Sequence, residues 1–125
     1  RLTVATPSAS PRPMQISIAQ HDAVTVVAVA GSLDALTADT LTAALQEQVR
    51  AGRTRLVAAL TELEYTSSAG LRVLLSTLKD ARQQGGDLRL AGAQERVLRV
   101  LSLSGFTSIL KCYPDVPSAV ASWAG

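Results

Sequence analysis

The sequence predicts an α/β domain built on a largely parallel sheet, and three observations point there. Segments rich in β-branched and aliphatic residues alternate with segments whose apolar residues recur every three to four positions. The run at 55 to 60, RLVAAL, is apolar almost without interruption, as in a parallel strand covered on both faces. The chain has 125 residues, enough for one packed core, and is 47% hydrophobic but only 3% aromatic, so Leu, Val and Ala must fill that core.

The first thirteen residues, RLTVATPSASPRP, are rich in Pro and Ser and have no period; they are expected to be a disordered leader or an expression remnant ahead of Met14. The domain is expected to run from 14 to 125. MQISIAQ and VTVVAVAG carry the β-branched residues of two strands, and His21-Asp22-Ala23 between them predicts a hairpin. Thr37 stands where it can cap a helix whose Leu41, Ala44, Leu45 and Val49 share one face, with Gly52 as its stop. RLVAAL follows as a strand, and TELEY reads as a loop. A second helix begins near Ser68, turns Leu71, Leu74, Leu75 and Leu78 inward, and ends at Gly85-Gly86. DLRLAG is a strand, and AQERVLRVLSLSG a helix with Val97, Val100 and Leu101 on one face. A short strand near Ile109 and a closing helix capped by Asp115, with Pro117 in its first turn, complete the order. Strands alternating with helices imply right-handed crossovers.

Composition excludes several functions. The net charge of +2 comes from dispersed Lys and Arg, and the few aromatics are far apart, which is no footprint for nucleic acid. Cys112 is alone, so no intrachain disulfide forms, and no secretory signal is evident; a cytoplasmic protein is expected. No apolar run approaches the roughly 20 residues that span a bilayer. His21 and Cys112 have no metal-ligand spacing, and neither GSLDAL nor QGGD has the glycines of a phosphate-binding loop, so no metal and no cofactor is expected.

The stretch YTSSAGLRVLL, 65 to 75, places Ser67 and Ser68 at the start of a helix. Serine is among the best N-caps, so a purely structural use is complete in itself. A second use competes. The amides of Ala69, Gly70 and Leu71 would face a group carried by Ser68, and the helix dipole favours negative charge there, which suits a phosphoryl group. Nucleophilic catalysis lacks its parts, because the only histidine lies in the hairpin and Thr66 replaces the first glycine of the G-x-S-x-G turn. No enzyme is expected.

VTVVAVAGSLDALTADTL, LVAALTELEYTSSAGLRVLL and GGDLRLAGAQERVLRVLSLSGF together resemble the successive blocks of the STAS domain, in particular the bacterial anti-sigma-factor antagonists, over about 14 to 123. The resemblance implies a mixed sheet of four or five strands with about four helices packed mainly on one face. It also implies a partner switch. In that family the unphosphorylated antagonist binds a serine kinase that is also an anti-sigma factor and frees the kinase's client, a sigma factor or another effector. The kinase then phosphorylates a serine that a phosphatase restores. Aligning SAGL with the family's S-[ST]-G-L implies Ser68 as phosphoacceptor and Ser67, Ala69, Gly70, Leu71 and Arg72 as docking surface. Asp34 matches an acidic residue that helps the partner bind; its other reading is a turn residue at a strand exit. Ala59 and Ser67 stand where many members have Asp. A monomer or weak dimer is expected. The alternative function is an unphosphorylated structural module of a lipid transporter or signalling scaffold, in which Ser68 only caps.

Overall fold

The β-branched residues of β1 (Gln15–His21) and β2 (Val24–Leu33) pair antiparallel, with Ile18 opposite Val27, and Asp22 turns the hairpin in the left-handed region at φ 57°. This is a computed structural model, and it describes residues 14 to 123, so the expected leader 1–13 lies outside the described residues. β3 (Arg55–Ala59) then lies parallel to β2, β5 (Asp87–Ala91) parallel to β3, and β6 (Lys111–Tyr113) parallel to β5. The order across the sheet is β1-β2-β3-β5-β6.

The segment read as a loop, TELEY, is partly a strand. β4 (Leu63–Thr66) pairs parallel with the last residues of β2, Leu33 standing opposite Thr66. β2 is long enough for two partners: Thr25 to Ala28 run beside β3, and Gly31 to Leu33 beside β4. A register shift separates the two zones between Gly31 and Ser32, and Gly31 has φ 90°, a conformation open to glycine at little cost. The sheet is therefore mixed, with one more strand than the resemblance implied.

Three helices cover one face. α1 (Ala38–Arg50), α2 (Ser68–Gln83) and α3 (Glu95–Leu103) bury Leu41, Leu45, Leu74, Leu78, Val97 and Leu101 against Leu56, Ala58, Leu88 and Leu90 of the strands. The alternate strand residues Val57, Ala59 and Ala91 point to the other face and meet Ala119 of α4 (Val116–Ala121). RLVAAL is uninterrupted because both its faces are covered. Val100, placed inward by its spacing, is 37% exposed, because α3 meets the core through Val97 and Leu101 alone among its buried positions. Asp115 caps α4 as expected, accepting from the Ser118 amide at 2.8 Å. Far from β4, buried Asp87 accepts from Arg82 Nε and Arg89 Nε, each at 3.1 Å, while Arg89 lies over the Trp123 ring at 3.8 Å. That clamp ties α2, β5 and the segment after α4 together.

Candidate functional site

Ser68 is exposed at the first position of α2, and its surroundings follow from how β4 ends. The Ser67 amide donates to the Leu33 carbonyl at 2.8 Å, which fastens the start of α2 to the end of β2. The capping residue is Ser67, one position earlier than an acceptor-and-cap Ser68 requires. Its extended backbone lets its Oγ accept from the Gly70 amide at 3.5 Å, and its carbonyl accepts from Leu71 at 3.1 Å. Two of the three amides expected to face Ser68 are thus engaged by Ser67. The Ser68 hydroxyl is free of the capping task, and the first turn of α2 holds no carboxylate.

The other predicted residues divide by burial. Arg72 is exposed and Ala69 half-buried, whereas Gly70 and Leu71 are buried and form the floor beneath the helix start. A Cβ on Gly70 would stand 2.5 Å from Thr66 Oγ1 and 2.6 Å from Leu33 Cγ, so only glycine lets α2 come this close to β2 and β4. Leu71, exposed by 5%, packs into the core. In the chain alone these two shape the surface from below.

Asp34 follows Leu33 directly and so lies at the same end of β2 as Ser67. Its Oδ1 accepts from the amides of Leu36 at 2.9 Å and Thr37 at 3.1 Å, an Asx turn. Thr37, expected to cap α1, has no such cap bond. Its hydroxyl accepts from the Asp34 amide at 2.9 Å and has the Ser32 carbonyl at 3.1 Å and Asp34 Oδ1 at 3.2 Å as acceptors. Sequence reasoning missed two neighbours, Leu36 at 89% exposure and Tyr65 at 54%. The signal for Tyr65 was its place in the unrecognised strand β4.

His21 ends β1 opposite Val24, at the far end of β2 from Leu33, about 30 Å away at strand rise, so it cannot serve Ser68 as a base. Among the described residues no three His, Cys, Asp or Glu side chains stand together as metal ligands. Among the described residues no helix is long and apolar enough to cross a membrane. Cys112 lies on β6 and is exposed as a residue, while partial burial of the sulfur pushes the thiol up. Two grooves, of about 570 and 510 Å³, are lined by the hairpin with β3 and the residues after it and by the hairpin tip with α4, and neither includes Ser67, Ser68 or Asp34. The site is an open surface, which suits a protein partner better than a small substrate.

Comparison with known proteins agrees with this geometry. The STAS domain family matches residues 15–119. BtrV of Bordetella bronchiseptica, which carries the name of anti-sigma factor antagonist, is 34% identical over 110 residues, covering 88% of this chain and 95% of that protein. The anti-sigma F factor antagonist of Paenibacillus polymyxa is 29% identical over 86% of this chain and 92% of its own. Among solved structures, an anti-sigma factor antagonist from Mycobacterium paratuberculosis superposes with TM-score 0.83 at 26% identity, over 90% of this chain and 96% of that one. The chain therefore belongs to the STAS-domain family, among the anti-sigma factor antagonists.

Proposed function

We propose that the protein is a phosphorylation-controlled partner switch: unphosphorylated, it binds a serine kinase that acts as an anti-sigma factor and so frees that kinase's client, a sigma factor or another effector. Ser68 is the phosphoacceptor and a serine phosphatase resets it, in the cytoplasm. The observation that carries this reading is an exposed Ser68 hydroxyl relieved of capping by Ser67, at the start of a helix with no acidic residue in its first turn. A phosphoryl group there adds about −1.5 to −2 of charge, which the positive end of α2 tolerates. The helix survives modification, and the partner senses it. Asp34, Ser67, Ala69 and Arg72 frame the docking surface, with Gly70 and Leu71 beneath it.

Incubation with the kinase and ATP, followed by peptide mapping, tests the assignment. Phosphate is expected on Ser68 and absent from Ser68→Ala. An alanine variant modified as fully as wild type would remove Ser68 from the mechanism. A wild type that is never modified would favour the structural-module alternative.

A further inference from the structure

The two ends of the strand order differ in how they are guarded. β6, at one end, is three residues long, carries Lys111 and is followed at once by Pro114; shortness, a lysine and a proline each blunt an edge against pairing with another chain. β1, at the other end, has none of these. It is seven residues long, QISIAQH, without Lys, Arg, Asp, Glu or Pro, and its register with β2 runs from Gln15–Ala30 to His21–Val24 without a bulge. Among the described residues no strand pairs with its outer side, so its outward backbone donors and acceptors have no ladder partner. Its side chains match this. Ile16 stands beside Val29 and Ile18 beside Val27 on the helix-covered face of the sheet, yet only Ile16 is half-buried there, and Ile18 stays 41% exposed.

We propose that β1 is a self-association edge: two copies of this chain pair their β1 strands antiparallel about a two-fold axis at Ser17, joining two sheets into one. In that register Ser17 meets the partner's Ser17, and Ile16 of each copy meets the partner's Ile18. The second copy is the occupant because the strand complements itself. One rotation gives both isoleucines of each chain an apolar cross-strand neighbour, covers the exposed Ile18, and sets no charge against its own like. An axis at Ile18 would set Ile16 against Gln20 instead. The blunted β6 edge offers β1 no counterpart, so the assembly closes at two copies and does not grow into a fibre. β1 begins opposite Ala30, short of Leu33 where the Ser67 amide is held, so the interface uses none of Ser67, Ser68 or Asp34 and stands apart from the phosphorylation reading.

Sedimentation velocity of the full chain, from micromolar to millimolar concentration, tests it. A concentration-dependent equilibrium between monomer and dimer is expected. Ile18→Lys, which puts a charge on the free edge, should weaken the dimer at least about tenfold. Ile109→Lys, at a residue equally exposed at 41% but outside β1, should leave it unchanged. Cross-linking reads the register, in a Cys112→Ser background because Cys112 is itself exposed. Residues directly opposite in an antiparallel pair have Cα atoms about 4.5 to 5.5 Å apart, so Ser17→Cys should give a covalent dimer on oxidation or with a short thiol-to-thiol linker. Gln20→Cys, about 20 Å from its own copy in this register, should not. A chain that stays monomeric throughout would overturn the proposal. So would a dimer indifferent to Ile18→Lys, a Gln20→Cys cross-link without a Ser17→Cys one, or growth beyond two copies. A monomeric wild type whose Ile18→Lys variant loses the kinase would assign the edge to that protein and overturn it equally.

Discussion

At the scale of single residues, the capping bond that the sequence reading gave to Ser68 is made by Ser67. Ser67 turns the chain into α2 through a bond of 3.5 Å to the Gly70 amide, at the long limit for such contacts. Ser67→Ala should therefore cost only about 0.5 kcal/mol in urea denaturation, the low end for a lost cap. Ser68 carries no such bond, so Ser68→Glu should leave stability nearly unchanged. It should weaken kinase binding by about 1 to 3 kcal/mol through like-charge repulsion and desolvation. Equal affinity of the two proteins in calorimetry would contradict that. Gly70 is the residue for which no substitute exists locally. Gly70→Ala forces a methyl against Thr66 Oγ1 and Leu33, and about 1 to 3 kcal/mol of stability should be lost in the same assay.

At the scale of elements, β4 explains how the proposed docking surface takes its shape where a loop was expected. Leu63–Thr66 is four residues long and mixes Glu and Tyr with buried Leu63 and Thr66, so it has neither the length nor the alternation by which a strand is recognised. Only the extra length of β2 beyond β3 gives it a partner. The closing helix α4 was legible because Asp115 and Pro117 are local signals. The Ser118 hydroxyl and amide lower the Asp115 carboxyl below its ordinary value. A depressed carboxylate contributes stability above its unfolded pKa and loses it as pH falls through the folded one, so the window lies below about pH 4. Wild type should therefore unfold at higher urea than Asp115→Ala at pH 6, and the gap should close by about pH 2.5. A gap that persists in acid would show that the cap acts through something other than this ionised group. The clamp at the other end of the sheet is of a different kind. Asp87→Ala leaves Arg89, only 11% exposed, without its carboxylate, and should cost about 3 kcal/mol in thermal or urea unfolding.

At the scale of the whole molecule, the sequence made the element order legible because each core strand and helix carries its own period and each helix end its own stop residue. RLVAAL, the α2 leucines and the Asp115 cap needed no tertiary information. What stayed hidden depended on partners distant in sequence: the pairing of β4 with β2, the choice of Ser67 over Ser68 as cap, and the turn in which Asp34 holds Leu36. The candidate site lies where these three meet, at one end of the sheet, away from both large grooves and from the Asp87 clamp. A charge added there changes the surface and leaves the core untouched. The affinity of the serine kinase for the unmodified chain and for the chain stoichiometrically phosphorylated on Ser68, measured side by side by calorimetry, tests this most directly. The account predicts tight binding of the first and a loss of at least about tenfold for the second, with both proteins equally folded. Indistinguishable affinities would contradict it.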